Sequence, residues 1–320
     1  MPTQDPIAAG LARAPYLIVD GALATELQTR GHDLSGDLWS ARLLRDDPAA
    51  IRDVHTAYFS AGADIAITAS YQATVEGFMR LGLDAASAEA LIRRSVTLAK
   101  QARDAHWAKH ASDHIPYPLV AASVGPYGAY LADGSEYRGD YGLDRAALAD
   151  FHRPRLATLL ETQPDLLAIE TLPSLDEALA LAELVAERPG TQAWITFSAR
   201  DGQHISDGTP IAECARALRD RPGICAIGIN CTALEHIESL IGEIRNQCTL
   251  PIIVYPNSGE HYDGVAKRWV AGCASAKAPS NLAEGASRWL AAGATVIGGC
   301  CRTGPDDIAT LAQHRRAADQ

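Results

Sequence analysis

The chain has 320 residues, of which 47% are hydrophobic and 21% are charged, and its formal net charge at pH 7 is −11. The composition is that of an ordinary globular protein, and the negative charge argues against nucleic acid or an anionic membrane as a partner. No apolar run reaches the roughly 18 residues of a membrane span, and the N-terminal segment lacks the basic and apolar regions of a signal peptide. Seven unevenly placed cysteines argue against a disulfide scaffold and predict a reducing, cytoplasmic location.

Eight short apolar runs rich in β-branched residues recur along the chain, separated by polar loops and stretches of helical periodicity. The predicted strands are 16–23, 63–71, 117–126, 165–173, 192–200, 224–231, 250–259 and 294–301. Continuous apolar runs indicate strands that are covered on both faces, and therefore a parallel sheet. The predicted helices include 176–188, 233–245, 281–293 and 305–316. Asn281 and Thr303 are N-cap candidates, and Pro305 lies early in the last helix.

Eight β-then-α units in one chain predict a single (β/α)8 barrel domain over residues 1–320. A doubly wound open sheet is the alternative. Three connections are long, namely 24–47, 127–143 and 257–280. Because long loops after barrel strands usually build the active-site face, we expect these segments near the functional site.

Polar residues cluster where the predicted strands end. Catalytic groups of barrels lie at the carboxyl ends of the strands. The candidates at these positions are Asp20, Gly21, Thr68, Ser70, Tyr71, Glu170, Asn230, Cys231, Cys300 and Cys301. We therefore expect three thiols and two carboxylates to converge on one rim of the barrel.

The three rim cysteines, Cys231, Cys300 and Cys301, suit zinc, because thiolates are good zinc ligands and three of them leave a fourth position for substrate. Adjacent strand residues face opposite ways, so the last two can share a metal only if the chain leaves the pleat. Gly298 and Gly299 are expected to permit that departure through their backbone freedom. An electron-rich site of three thiolates favours holding a substrate thiolate, and so predicts alkyl transfer to sulfur.

Other interpretations of these residues remain open. The isolated cysteines are predicted to be packing residues; they are Cys214, Cys225, Cys248 and Cys273. The adjacent pair at 300–301 could be a redox couple, although a bridge between neighbours is strained. The two glycines at 298–299 could instead cradle phosphate in a lyase or aldolase, but no lysine lies at a strand end. A non-catalytic zinc-binding protein would leave the acidic rim without a purpose.

Several longer strings resemble one known family over nearly the whole chain. "GINC", "GGCC" and "DGALATEL" resemble the zinc-dependent homocysteine S-methyltransferases. "ITASYQAT", "SVGPYGAYLADGSEYRGDY", "FHRPR", "ETLP", "SDGTP" and "VYPNSGEHYD" are similar to the branch that uses S-methylmethionine. The resemblance implies a barrel with catalytic zinc that transfers methyl from S-methylmethionine, or S-adenosylmethionine, to homocysteine and yields methionine.

The resemblance also assigns roles to particular positions. The matched positions are the zinc ligands Cys231, Cys300 and Cys301, the acidic neighbours of the homocysteine amino group Asp20 and Glu170, and Thr68 near its carboxylate. One departure is Gln163-Pro164, where the family usually has Gly-Ala before the fourth strand. We expect no effect on chemistry, because this position lies on the amino-terminal side of the strand.

Substrate chemistry leads to similar expectations for the acceptor. An α-amino acid needs a negative group for its ammonium, which Asp20 or Glu170 can supply. Backbone N–H groups near Gly21 and the hydroxyls of Thr68 or Ser70 can hold its carboxylate. Each residue also has an alternative role. Asp20 could form an ordinary Asp-Gly turn and Glu170 could cap the following helix, while the hydroxyl residues could reflect β-propensity and loop polarity.

A sulfonium donor is recognised by aromatic faces and carboxylates, since it has no N–H group. Trp39 and Tyr71 are the main candidates for this contact. The tyrosines of the third long loop are weaker candidates, expected to pack that loop; they are Tyr130, Tyr137 and Tyr141. For His261 we expect a structural or solvent-facing role.

Overall fold

The computed structural model describes residues 5–34, 38–112, 115–263, 268–271, 279 and 281–318, and it describes only the backbone of residues 39, 40, 260–263, 268–271 and 318. The strands are β1 Leu17–Ile18, β2 Ile65–Ile67, β3 Leu119–Val124, β4 Leu166–Leu172, β5 Ala193–Phe197, β6 Ile224–Asn230, β7 Ile252–Tyr255, β8 Glu260–Asp263, β9 Arg268–Ala271 and β10 Ala294–Ile297.

Eight of these strands form one parallel ring. Their order is β1-β10-β7-β6-β5-β4-β3-β2, and a parallel bridge between Val19 and Ile65 joins the first strand to the last in that order. Strands β8 and β9 pair with each other as an antiparallel hairpin outside the ring. The predicted (β/α)8 barrel is confirmed, and the open-sheet alternative is wrong.

The helices after the first follow the barrel strands and cover the outside of the ring, whereas the first, Pro6–Leu11, precedes β1 and places Ile7 in an apolar cluster with Leu17 and Val19. The helices are α1 Pro6–Leu11, α2 Leu23–Thr29, α3 Leu43–Asp46, α4 Pro48–Ala61, α5 Val75–Arg80, α6 Ala85–His110, α7 Tyr127–Leu131, α8 Arg145–Glu161, α9 Leu175–Ala186, α10 Ile211–Leu218, α11 Leu234–Arg245, α12 Leu282–Ala292 and α13 Pro305–Ala318, with 3-10 turns at Trp39–Arg42 and Ser135–Tyr137. None of the helices in the described part of the chain has the length and apolar character needed to cross a bilayer.

The two predicted N-caps have different outcomes. The Asn281 side chain accepts a hydrogen bond from the backbone N–H of Glu284 and caps α12 as predicted. The prediction for Thr303 is wrong, because its hydroxyl donates to the carbonyl oxygen of Cys300 at 2.6 Å. At the start of α13, the Asp307 carboxylate instead accepts from the N–H of Gly304. Thr303 therefore holds the cysteine turn and not the helix.

Alternation along the strands divides the apolar residues into two cores. Ile18 packs in the large cluster between ring and helices, whereas its neighbours Leu17 and Val19 belong to the cluster inside the ring. Trp194 and Tyr255 also lie in the inner cluster. This two-residue period is the geometry of a strand that is buried on both faces.

The three long connections carry structure of their own. The connection 24–47, after β1, contains most of α2, a 3-10 turn and α3. The connection 127–143, after β3, contains α7 and the turn Ser135–Tyr137, and the connection 257–280, after β7, contains the hairpin. Gln163 precedes β4 on the side of the barrel away from these loops and has a φ of 51°. Glycine adopts this left-handed conformation at lower cost.

Candidate active site

A cavity of about 140 Å³ opens at the carboxyl ends of the strands. Its wall includes seven of the predicted site residues, namely Gly21, Thr68, Tyr71, Glu170, Cys231, Cys300 and Cys301. Asp20, Ser70 and Asn230 are buried but do not belong to the wall that the described residues form. The rim predicted from the strand ends is therefore one site, with some of its members behind the wall.

The three thiols lie next to one another. The Sγ atoms of Cys231 and Cys301 are 3.7 Å apart, and those of Cys300 and Cys301 are 4.0 Å apart. All three sulfur atoms lie within 4.8 Å of one another, close enough for one metal ion to be held by the group.

The backbone reaches this arrangement by leaving the strands. Cys231 follows β6 with a φ of 50°, a conformation that costs a non-glycine residue about 1–2 kcal/mol. Strand β10 ends at Ile297, so the predicted strand bound of 301 is wrong, whereas the expected departure from the pleat before Cys300 and Cys301 is confirmed. Because Cys300 and Cys301 lie in a turn, the opposite facing of adjacent strand residues does not apply to them.

Gly298 and Gly299 serve this turn through their size. Neither has a positive φ, so our expectation that backbone freedom is the reason for these glycines is wrong. A Cβ atom at Gly298 would lie 2.7 Å from the Cβ of Val19, and one at Gly299 would lie 2.3 Å from Oγ1 of Thr303. Close packing against β1 and the cysteine turn therefore requires glycine at both positions.

The same turn is poorly suited to phosphate. The N–H groups of Gly298, Gly299 and Cys300 all donate to backbone carbonyl oxygens, at N···O distances of 2.7 to 3.2 Å. A phosphate cradle needs such donors to be free. The phosphate-binding alternative therefore has no support at this turn.

Asn230 braces the site from behind. Its Oδ1 atom accepts from the N–H of Thr171 and from the hydroxyl of Thr196, both at 2.8 Å. Its Nδ2 atom donates to Oγ1 of Thr171 at 2.6 Å and lies 3.9 Å from the Cys300 sulfur. Thr171 has a φ of 60°, so Asn230 stabilises a strained end of β4 beside the thiols.

Glu170 presents a buried carboxylate from β4. The hydroxyl of Ser123 donates to Oε1, and the hydroxyl of Tyr255 donates to Oε2 at 3.2 Å. Burial raises the pKa of Glu170 to about 7, the charge of Cys231 acts in the same direction, and the two hydroxyl donors oppose the shift.

Asp20 lies behind the wall between β1 and β2. Its Oδ2 atom accepts from the backbone N–H of Ile67 at 3.0 Å. Burial raises the pKa of Asp20 well above its usual value, and the charge of Glu170 adds to this shift, while the Ile67 N–H opposes it. The two acidic residues thus lie close enough for the charge of one to raise the pKa of the other.

The hydroxyls of Thr68 and Ser70 are mostly committed to the protein. Ser70 donates to the carbonyl oxygen of Ser123 at 2.8 Å, so the 2.7 Å contact between the two hydroxyls has Thr68 as its donor. Thr68 Oγ1 also accepts from the N–H of Ser123. These bonds link the end of β2 to the residue that donates to Glu170.

Tyr71 and Tyr137, together with Tyr255 of β7, supply the aromatic part of the wall. The hydroxyl of Tyr137 lies 3.5 Å from the Cys231 sulfur, so this tyrosine does more than pack its loop. Tyr130 and Tyr141 instead pack against Tyr127. Some predictions concern parts that the structure does not describe, namely the side chains of Trp39 and His261 and the whole of Cys273.

A buried charged cluster behind Tyr71 was missed by sequence reasoning. Arg155 donates to the carbonyl oxygens of Tyr71 and Gly125, and its Nη2 lies 2.7 Å from Nδ1 of His152. Because a guanidinium can only donate, His152 carries its proton on Nε2 and donates to Glu177 at 2.8 Å. The string "FHRPR" was the only signal of this cluster.

The isolated cysteines agree with a packing role where they are described. Cys214, Cys225 and Cys248 are buried free thiols, and burial raises the pKa of each. Cys225 donates to the carbonyl oxygen of Ala193 inside the barrel. Their surroundings thus disfavour the thiolate form that metal binding needs.

Known proteins share both the sequence and the fold of this chain. The sequence model of the family described as homocysteine S-methyltransferase matches residues 17–315. Homocysteine S-methyltransferase YbgG of Bacillus subtilis is 51% identical over 98% of each chain. Homocysteine S-methyltransferase of Escherichia coli is 50% identical over 97% of this chain and 99% of its own.

A solved structure agrees with these sequence matches. The crystal structure of the Escherichia coli homocysteine methyltransferase MmuM in its metallated form has a TM-score of 0.86 and 48% identity, covering 97% of this chain and 99% of that one. Since the family match, the relatives and the fold agree over nearly the full length, this chain belongs to the homocysteine S-methyltransferase family.

Proposed function

We propose that this chain transfers a methyl group from S-methylmethionine to the sulfur of homocysteine, using zinc held by Cys231, Cys300 and Cys301. Homocysteine methyltransferase activity follows from membership of the family. The assignment of zinc rests above all on the three neighbouring thiols in the cavity wall. The assignment of S-methylmethionine as donor rests on the sequence strings that are similar to the branch using it. Free thiols need a reducing compartment, so we propose a cytoplasmic location. We also propose that residues 1–320 form one catalytic domain.

The spacing of the sulfurs supports zinc as the metal. Tetrahedral zinc with Zn–S bonds of about 2.3 Å places its sulfur ligands about 3.8 Å apart. The sulfur of Cys301 lies 3.7 Å from that of Cys231 and 4.0 Å from that of Cys300, close to that value. When bound, zinc supplies a fourth position at which the homocysteine thiol loses its proton while its sulfur stays nucleophilic.

The acceptor amino acid is proposed to lie against Glu170 in the cavity. Its ammonium pairs with the Glu170 carboxylate, which the hydroxyls of Ser123 and Tyr255 hold in place. Asp20 places a second carboxyl group behind the wall, held by the N–H of Ile67, although burial disfavours its ionised form. The backbone near Gly21 and near Thr68, at the ends of the neighbouring strands β1 and β2, is the proposed contact of the substrate carboxylate. Ser70 and Asn230 support these groups through hydrogen bonds and do not contact substrate.

The chain then has little acid–base work to do. The acceptor sulfur attacks the methyl carbon, the carbon–sulfur bond of the donor breaks, and the departing thioether is neutral and takes no proton. The remaining task is to hold two sulfurs and a carbon in line, which is catalysis by proximity. The rings of Tyr71 and Tyr137, and Trp39 in the first loop, are the proposed contacts of the donor cation.

The proposal is tested by replacing one ligand and one matched control thiol. We expect Cys300→Ser to lose nearly all methyl transfer and most bound zinc, because a hydroxyl is a poor zinc ligand beside two thiolates. Zinc content, circular dichroism and transfer from S-methylmethionine and S-adenosylmethionine are measured separately. Cys248→Ser removes a buried thiol outside the cavity wall and should keep both zinc and activity. Full zinc and full rate in Cys300→Ser would exclude the assigned site.

A further inference from the structure

Glu136 is a buried carboxyl group that the mechanism above does not use. It lies in the 3-10 turn Ser135–Tyr137 of the third loop, and only 4% of the residue is exposed. Its Oε2 atom is buried without a hydrogen-bond partner among the described residues. Burying a carboxylate in this way is costly unless something compensates its charge.

The charge of Glu136 acts on the cavity. Its neighbour in the turn, Tyr137, lines the wall, and so does Tyr71. Burial raises the pKa of the Tyr71 hydroxyl, and the charge of Glu136 raises it further, more than the charges of Cys231 and Glu170 do, although these two residues belong to the wall. Glu136 is therefore a near neighbour of the wall, although it is not among the described residues that form it.

The protein itself provides little compensation for this charge. Against the effect of burial, a hydrogen bond from its own backbone lowers the pKa of Glu136, but the neighbours Cys231 and Asp133 disfavour the ionised carboxylate, and Arg138 opposes them more weakly. Arg138 is itself paired with Asp140 at 3.2 Å, on an exposed part of the loop. A cation bound in the cavity would supply what the chain lacks.

Two aromatic residues of the wall indicate the kind of cation that fits the cavity. Tyr71 and Tyr137 line it, and aromatic rings attract cations that have no hydrogen to donate. The Tyr137 hydroxyl lies 3.5 Å from the Cys231 sulfur, so its ring borders the place where the acceptor sulfur would be. The donor sulfur must approach that place within the length of one methyl group.

We propose that Glu136, together with the rings of Tyr71 and Tyr137, forms the subsite for the sulfonium charge of the methyl donor. This inference rests on the proposed function, because it requires a cationic methyl donor. The sulfonium becomes a neutral thioether when its methyl carbon bonds to the acceptor sulfur, so the attraction to Glu136 ends with the transfer. Glu136 thus favours the donor over the methionine product, and its loss should raise the donor KM more than it lowers kcat.

The test uses the zinc-loaded full chain with Glu136→Gln, which removes the charge and keeps the volume. We expect the KM for S-methylmethionine to rise about 30-fold, as for loss of one partner of a buried charge pair, with the homocysteine KM unchanged. Binding of trimethylsulfonium ion, measured by calorimetry, should weaken by a similar factor. Asp140→Asn, an exposed acid of the same loop, is the control and should change neither value.

Each contrary outcome has a distinct meaning. An unchanged donor KM in Glu136→Gln overturns the inference. A raised S-methylmethionine KM with unchanged trimethylsulfonium binding also overturns it, because Glu136 would then pair with the donor ammonium. If the wild-type enzyme transfers no methyl from any sulfonium donor, the proposed function itself fails, which the trimethylsulfonium binding measurement distinguishes from failure of the subsite.

Discussion

Glu170 and Glu136 are both buried carboxyl groups near Cys231, and burial raises the pKa of each to about 7. They differ in what surrounds their oxygen atoms. Both oxygens of Glu170 accept hydrogen bonds from hydroxyls, whereas one oxygen of Glu136 has no partner among the described residues. A similar pKa therefore arises in one site that is organised for its charge and in another that depends on a ligand.

The comparison has a structural origin. Glu170 lies on a barrel strand, where Ser123 reaches it from the neighbouring strand β3 and Tyr255 reaches it from β7 across the ring. Glu136 lies on a short turn of a loop that packs over the rim. Strands fix an acceptor pocket in advance, while a loop carboxylate can respond to the ligand that enters.

The largest expected effect distinguishes the two carboxylates by substrate. Glu170→Gln should weaken homocysteine binding by about 2–5 kcal/mol, because it removes one charge of a desolvated pair, and should leave the S-methylmethionine KM nearly unchanged. Steady-state kinetics with each substrate varied in turn measure both values. Glu161→Gln, an exposed residue at the end of α8, is the control. An unaltered homocysteine affinity would remove Glu170 from the acceptor site.

A second effect concerns stability and its dependence on pH. A carboxyl group whose pKa rises from 4.5 to about 7 on folding destabilises the protein as the pH rises through that interval. Glu136→Gln avoids this cost. The free energy of unfolding of the variant minus that of the wild type, both without donor, should therefore be about 1–3 kcal/mol larger at pH 8 than at pH 5. Urea unfolding at the two pH values measures the difference.

The same substitution at Glu170 should behave differently. The amide of Glu170→Gln would place an N–H₂ group against one of two hydroxyls that now donate to the carboxylate. Its gain at pH 8 should therefore be smaller than that of Glu136→Gln. Equal gains in the two variants would mean that the hydrogen-bond difference between the sites has no energetic weight.

The smallest effect tests how Glu170 is held. Ser123→Ala removes a hydrogen bond to the ionised carboxylate, so the pKa of Glu170 should rise further. At neutral pH, homocysteine binding should weaken by about 1–2 kcal/mol, and it should recover as the pH is raised. A homocysteine KM measured from pH 6 to 9 checks this, and a loss that stays constant over that range would point to altered packing instead.

The sequence determined the barrel and most of its rim. Continuous apolar runs such as 165–173 can be satisfied only by strands that are covered on both faces, and polar residues at their ends must then meet at one edge. This geometry by itself predicts that Glu170 and the three cysteines share one wall. The position of Tyr137 in the wall could not be predicted in this way, because its loop has no regular period that relates it to a strand end.

Only the tertiary structure decided the local details of the site. The left-handed backbone of Cys231, the tight packing of Gly298 against Val19 and the Glu136 oxygen that has no partner among the described residues cannot be seen in any local pattern of the sequence. Periodicity reports how a residue relates to its neighbours along one element. Burial and hydrogen bonding of a loop carboxylate depend instead on which distant atoms close around it, and for Glu136 that was settled only when the third loop folded over the thiols.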